Sequence, residues 1–218
     1  MLEGRYARLE PLDPARHGAD LLASARQPGA EDRFRYLFEE PPPADDEGPF
    51  RAWLAGAAAS DDPMFWAVVD RATGRAEGRQ SLMRITPEHG VVEVGHILWG
   101  PAIARTRVAT EALYLFAAHA FDDLGYRRFE WKCNDLNAPS KRAALRFGFS
   151  PEGVFRQHMV AKGRSRDTAW FAMTDGDWHD GLRAGYERWL DPANFGPDGA
   201  QRERLSVRRG AGEGRAGR

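Results

Sequence analysis

Between Val91 and Phe149 the spacing of apolar positions changes period several times, and each change marks an element. Val91 to Trp99 is a short, mostly apolar run of the length of a buried strand. Leu113, Phe116, Ala117, Ala120, Phe121 and Leu124 then recur three and four residues apart, one continuous apolar stripe on a helix. Gly125 follows and can take the left-handed conformation that ends a helix. Arg127 to Asn134 alternates with period two, which turns Phe129, Trp131 and Cys133 to one face. A short helix from about Ala138 to Phe147 closes on Gly148-Phe149. The stretch predicts strand, helix, strand, helix, with a loop from Gly100 to Arg107 at its first bend.

The flanking segments predict a meander before this unit and a hairpin after it. Tyr6 to Leu12 reads as a first strand at an edge, ending near Pro11. Asp13 to Ala25 reads as a helix broken by Pro28-Gly29. Arg33 to Glu40 mixes aromatic and charged side chains before Pro41-Pro42-Pro43; it reads either as a helix packed by Phe34, Leu37 and Phe38 or as the wall of a substrate cleft. Pro49 suits the first turn of a further helix carrying Phe50, Trp53, Leu54 and Ala57 on one face. Met64 to Asp70 and Glu77 to Ile85 read as strands joined at Thr73-Gly74. Gly153 to Ala161 and Thr168 to Thr174 form the closing hairpin, and Asp180 to Leu190 a last helix.

Composition narrows the class. The 218 residues suffice for one domain, expected over 1–190, and 42% hydrophobic with 29% charged residues is ordinary globular usage. Beyond Pro192 the chain shifts to Gly, Arg and Glu; residues 201–218 hold six arginines against two glutamates, so 191–218 is expected to be a disordered Arg/Gly-rich tail. A net charge of -1 argues against a nucleic-acid-coating surface, and association of the arginine tail with nucleic acid is the weakest of the functional readings. The single cysteine, Cys133, excludes an internal disulfide, suits a reducing compartment and reads as a core residue. No apolar run has the ~20 residues of a membrane helix and no signal-peptide pattern is present, so the expectation is a cytoplasmic protein without membrane association.

Several chemistries find no residues. There is no Walker loop, no paired-cysteine motif and no His/Glu cluster at metal-ligand spacing, so no metal is expected. Phe149-Ser150-Pro151 lacks the glycines of a hydrolase elbow. What remains is the bend after Trp99. The first N–H groups of a helix have no internal acceptor and carry the positive end of its dipole, so the bend suits a phosphate, with Arg105 and Arg107 adding charge.

Over Glu93 to about Trp178, nearly two-fifths of the chain, the sequence resembles the GNAT superfamily of acyl-CoA N-acyltransferases, and within it the RimJ/RimL-like branch. Gly95-His96-Ile97-Leu98 with Pro101 is similar to the family's fourth strand, and Ala109-Thr110-Glu111-Ala112-Leu113 to the opening of its cofactor-binding helix. Leu124-Gly125-Tyr126-Arg127-Arg128 resembles the link to the fifth strand. Asn137-Ala138-Pro139-Ser140 with Gly148-Phe149 resembles the fourth helix. The resemblance implies an α/β (α+β) fold: a central mixed, mostly antiparallel sheet of about six or seven strands flanked by helices and splayed between the family's strands 4 and 5.

It also implies a site. Acetyl-CoA, the expected acyl donor, would lie in the splay with pantetheine paired to the backbone of Ile97, Leu98 and Trp99. Its pyrophosphate would rest on Arg105, Thr106, Arg107, Val108, Ala109 and Thr110, with Asn137, Ser140 and Arg142 completing the cofactor set. Two departures stand out. The family's loop reads Gln or Arg, two residues, Gly, one residue, then Gly or Ala; here Ala104 and Arg107 take the first and glycine positions and only Ala109 agrees. Ala144 stands where many members carry the tyrosine that protonates the departing thiolate, and the branch implies Ser140 in that role. Ser140 as a helix cap is the competing reading.

An amine attacks only when neutral, and a chain N-terminus, with pKa ~7.7 to 8 against ~10.4 for lysine, needs the less help. Glu93, His96 and His158 are candidates for a weak base acting through water. Each also reads as a structural or surface residue. Lys132 stands where some relatives have a glutamate base; it reads as a partner for an anionic substrate group or as a solvated charge beside Arg128 and Glu130. Tyr36, Lys132 and His158 are the substrate-side candidates. The expected activity is transfer of acetyl to a primary amine, of a protein N-terminus or a small molecule, by direct attack. A non-catalytic acyl-CoA sensor or interaction module is the rival, and a homodimer is left open.

Overall fold

In the computed structural model the chain is described over residues 1–206. Eight strands form one sheet in the order β1-β2-β3-β4-β5-β6-β8-β7. They are β1 (Leu2–Glu3), β2 (Ala7–Pro11), β3 (Met64–Asp70), β4 (Ala76–Thr86), β5 (Val91–Trp99), β6 (Arg128–Asn134), β7 (Ser150–Ala161) and β8 (Arg164–Thr174). Every neighbouring pair is antiparallel except β5 with β6. The family's strands 4 and 5 are thus β5 and β6 here.

The helices sort to the two faces of the sheet. Helix α1 (Pro14–Ala25) starts at Asp13, whose carboxylate accepts the N–H groups of Ala15 and Arg16 at 2.8 and 3.3 Å. With α2 (Gly48–Ala58) it buries Leu21, Leu54 and Ala57 against Phe65, Ala67 and Val69 of β3. On the other face α3 (Arg107–Ala118) buries Leu113, Phe116 and Ala117 against Trp66, Val68, Val92 and Phe129. Each such large side chain taken from water contributes roughly 1.5–3 kcal/mol. Helix α4 (Ala138–Arg146) packs on β6 and β7, and the C-terminal helix Arg183–Leu190 on α3.

Three expectations need correction. The apolar stripe of α3 does not run through to Leu124, which is 47% exposed. The helix passes into a π turn over His119–Asp123, and this extra residue per turn rotates Leu124 off the buried face, while Gly125 does take the left-handed φ of 66°. Arg33 to Glu40 is not a helix: a 3-10 turn spans Glu31–Phe34, Phe34 alone is buried, and Phe38 is 51% exposed. The tail expected from 191 is ordered in its first part. Pro192–Asn194 form a 3-10 turn, Phe195 is buried and bridges to Gln201, and the Trp189 indole N–H donates to Gln201 at 3.0 Å. Residues 207–218 of that tail lie outside the described residues.

Candidate acyl-transfer site

The parallel ladder of β5 and β6 stops early. It pairs Val91 with Arg128, Val92 with Phe129, Glu93 with Glu130 and Val94 with Trp131, and no pair follows. From Gly95 to Trp99 strand β5 remains bonded to β4 while β6 follows β8 to Asn134. A bulge accompanies the parting: opposite the step from Arg79 to Ser81 on β4, β5 runs from Leu98 to Gly95, and His96 in between has φ 49°. Such an insertion bends and twists a strand. The strands are thus splayed, with an edge of β5 left unpaired on the β6 side.

At the end of β5 the chain must turn within a closely packed space. A Cβ on Gly100 would collide with the Ser24 side chain and sit 2.6 Å from the carbonyl of Glu77, so only glycine lets α1 and β4 approach the bend. Thr106 then caps α3, its Oγ1 accepting the Val108 N–H at 3.1 Å. Among the described residues the N–H groups of Arg105, Arg107 and Ala109 find no acceptor, as expected of a helix start. Arg105 itself has φ 65°.

Arg107 does not crowd this opening. Its guanidinium lies over the Tyr6 ring at 4.4 Å and the Phe195 ring at 5.2 Å, away toward the N-terminal strands and the C-terminal segment. Of the two arginines expected to lend charge to the bend, the side chain of Arg107 is spent elsewhere. Arg33, which sequence reasoning did not select, is near enough to Arg105 that, after burial, the Arg105 charge further lowers its pKa. Arg146 was also missed. From the last turn of α4 it reaches back to the first turn of α3, donating to Thr110 Oγ1 at 3.2 Å over the rings of Phe147 and Trp189, and burial lowers its pKa. Arg142 is exposed on the same helix.

On the far side of the gap, Asn137 caps α4 by accepting the Ser140 N–H at 3.1 Å. The Ser140 hydroxyl accepts the Trp131 indole N–H at 3.0 Å, and it also stands beside Cys133, whose thiol burial pushes up while the Ser140 hydrogen bond pulls it down. Trp99 meets Phe147 edge to face at 5.9 Å and donates its indole N–H to Gln80 at 3.0 Å, which fixes the mouth of the gap.

The polar side chains at the fork of β5 and β6 are bound to one another. Lys132 is not solvated: its Nζ sits 2.9 Å from Glu93 Oε2 and 2.6 Å from Glu130 Oε2, and 3.8 Å from the centre of the Trp170 ring. It is therefore not a free cation for a substrate anion. Glu93, 3% exposed, also pairs with Arg84. Both cations occupy the same carboxylate oxygen, Oε2, so the geometry favours a structural role for Glu93. For Glu130 burial acts upward, but hydrogen bonds from Lys132 and Arg128 outweigh it and the pKa is lowered. His96 lies 5.0 Å from the Phe65 ring and 6.2 Å from Phe38. Burial first, then the charges of Arg79 and Arg84, take its pKa down to about 4, so it is neutral at pH 7.

A strap from Glu31 to Pro43 crosses this region. Tyr36 donates to the carbonyl of Leu136 at 3.2 Å, Lys162 of the β7–β8 turn donates to the carbonyl of Phe34 at 3.1 Å and pairs with Glu40, and Arg166 stands 5.3 Å from the Phe38 ring. Of the substrate-side candidates, Tyr36 is thus on the strap and Lys132 in the fork. His158 stands exposed on β7, its Nδ1 3.0 Å from Thr168 Oγ1.

Comparison with known proteins agrees with this architecture. Residues 8–150 match the family described as the acetyltransferase (GNAT) domain. The crystal structure of a GCN5-related N-acetyltransferase from Brucella melitensis is 53% identical, with 94% of this chain and 91% of that one covered and a TM-score of 0.90. That of a probable GNAT-family acetyltransferase from Chromobacterium violaceum is 42% identical over 82% of this chain and 87% of its own, with a TM-score of 0.74. An uncharacterised N-acetyltransferase of Bacillus licheniformis is 28% identical over 50% of this chain, and the match spans 60% of that relative's length.

Proposed function

The chain belongs to the GNAT acetyltransferase family, and on that premise we propose that it carries acetyl from acetyl-CoA to a primary amine by direct attack within a ternary complex, in the manner of the RimJ/RimL-like branch. The observation that supports this most is the ladder ending at Val94 and Trp131 while β5 runs on to Trp99. The free edge of Ile97, Leu98 and Trp99 is suited to pair with pantetheine as an added strand. The unpaired N–H groups of Arg105, Arg107 and Ala109, within the stretch from Arg105 through Thr106, Val108 and Thr110, are suited to a pyrophosphate, with Arg33 adding charge. Asn137 and Arg142 border the opposite wall.

The chemistry then asks little of side chains. The amine nitrogen attacks the thioester carbon, the carbon–sulfur bond breaks, the thiolate takes a proton and the new amide loses one. Backbone N–H groups at the bulge around His96 would stabilise the developing oxyanion, an effect of roughly 3 kcal/mol for one well-placed donor. Ser140, whose hydroxyl oxygen accepts from Trp131, would protonate the thiolate. His96, neutral at pH 7, would pass the proton released by the amine on to water; so weak a base suits an acceptor with a larger neutral fraction than lysine, such as a chain N-terminus. Glu93 would contribute charge at the fork.

The rival reading, a non-catalytic acyl-CoA sensor or interaction module, drew on the altered loop around Arg107 and on the missing tyrosine at Ala144. With that guanidinium over Tyr6, the first of these carries less weight. Calorimetry with acetyl-CoA followed by thiol release on a panel of amines tests the proposal. The expected result is saturable binding and turnover, with Ser140→Ala lowering kcat by roughly a hundredfold while acetyl-CoA affinity holds. Absence of binding at millimolar acetyl-CoA would overturn it.

A further inference from the structure

Arg79 is a buried charge whose counter-ion is on loan from a loop. It stands on β4 in the middle of the sheet, 2% exposed. Its Nη1 donates to the carbonyl of His96 at 2.6 Å, and its guanidinium lies 4.3 Å from the centre of the Trp53 ring and 5.9 Å from that of Phe65. Among the described residues its ion-pair partner is Glu39, from the strap. Burial takes its pKa down to about 9, which still leaves it charged at neutral pH. Arg79 and Glu39 together border a cavity of about 200 Å³ whose other walls include Phe34, Pro42, Phe50, Trp53 and Leu98.

The two partners are anchored very differently. Arg79 belongs to a strand bonded on both sides, whereas no helix or strand includes any residue from Arg35 to Glu47. The strap is held by side-chain ties: Tyr36 to Leu136, Lys162 to Phe34 and Glu40, and Arg26 to the carbonyl of Pro43 at 2.6 Å. If the strap withdraws, Arg79 stays behind as a buried cation with no partner, a state that strongly favours taking up another anion. The other carboxylate at the cavity, Glu40, is held by Lys162 at 3.1 Å, so neither acid there is free to recruit a cation.

We propose that Glu39 stands in for the acceptor's own acid group: the amine to be acetylated bears a carboxylate that replaces Glu39 on Arg79 and a ring-sized apolar body that fills the cavity against Phe50 and Trp53. Because Arg79 also holds the carbonyl of His96, at the bulge where β5 leaves β6, a carboxylate seated there brings its neighbouring amine to the mouth of the gap. This rests on the transferase reading and adds to it an acceptor class, apolar amino acids or their close analogues.

Three probes separate the parts: L-phenylalanine, phenethylamine, which lacks the acid, and 3-phenylpropionate, which lacks the amine. With the full chain, 3-phenylpropionate is expected to bind, read by tryptophan fluorescence, and to inhibit competitively. L-phenylalanine should exceed phenethylamine in kcat/KM by roughly tenfold or more, the worth of a charge-assisted bidentate contact. Glu39→Gln should lower KM for L-phenylalanine severalfold, so that its kcat/KM rises relative to that of phenethylamine, and Arg79→Gln should erase the preference. Phenethylamine used as well as L-phenylalanine would overturn the acid site and leave the transferase standing. Binding of 3-phenylpropionate with no transfer to any amine would do the reverse. Failure of 3-phenylpropionate to bind either wild type or Glu39→Gln would also overturn the acid site, and Glu39→Gln keeps the test valid if Arg79→Gln does not fold.

Discussion

The guanidinium of Arg107 lies over the ring of Tyr6 at 4.4 Å and 5.2 Å from that of Phe195, and the two rings meet each other edge to face at 5.8 Å. Tyr6 in turn donates its hydroxyl proton to the carbonyl of Leu190 at 3.0 Å, and Phe195 meets Trp189 edge to face at 5.1 Å. A side chain that replaces the family's glycine is thereby drawn out of the phosphate loop. Its contribution is to stability, by cation–π contacts worth roughly 0.5–2 kcal/mol. Arg107→Gly should therefore lower the denaturation midpoint while leaving KM for acetyl-CoA within about twofold. Phe195→Ala should destabilise to a similar degree, read in the same urea titration. A large gain in acetyl-CoA affinity in Arg107→Gly would show that the guanidinium obstructs the loop after all.

Glu111 supplies a second buried anchor. Its carboxylate accepts the backbone N–H groups of Arg5, Tyr6 and Ala7 at 2.9, 2.5 and 2.6 Å, pinning the bend between β1 and β2 to α3. Glu111→Ala strands these donors, each at a cost of roughly 1–3 kcal/mol where water cannot reach. Partial hydration of the bend brings the expected loss to about 2–4 kcal/mol. Amide exchange should accelerate at residues 5–11 before the rest of the sheet.

Protonation of His96 links stability to pH. Its folded pKa, about 4, lies below the ordinary value of 6.5, so between these limits the unfolded chain binds the proton more readily. The contribution is fully present above about pH 6.5 and is lost as pH falls toward 4. Denaturation midpoints measured across that window should show a slope that His96→Gln removes in part. A wild-type and variant pair with parallel curves would show that His96 does not titrate as a buried group.

Much of this was legible in the sequence because it lay in local periodicity. The span of β5 could be read directly, as could the inward set Phe129, Trp131 and Cys133 and the left-handed Gly125. What was hidden depends on residues far apart in the chain. Nothing near Arg107 announces Tyr6 and Phe195, and nothing near Lys132 announces Glu93. The π turn at His119–Asp123 carries no residue that marks it, so Leu124 was carried along the stripe. One signal was available and unused. Glu77, Arg79, Gln80 and Ser81 put four consecutive-to-near polar residues inside a strand, and all four are buried. Polar side chains within a central strand require partners or a ligand, so this run marks Arg79 in the sequence itself.

Lys132 distinguishes a structural cation from a substrate receptor. Its ammonium is shared by Glu93 and Glu130, which are 3% and 8% exposed, and is capped by the Trp170 ring. Removing one member of such a buried cluster leaves like charges facing each other without compensation, a loss of roughly 3–5 kcal/mol. Lys132→Met should therefore unfold at markedly lower urea. With Lys132 gone, one of the forces that holds the Glu130 carboxyl below its ordinary pKa disappears, so its stabilising contribution, present above the unfolded pKa, should fade at higher pH than in the wild type. Under conditions where the variant remains folded, KM for the amine should change little. A raised KM at unaltered stability would instead place a substrate anion on Lys132.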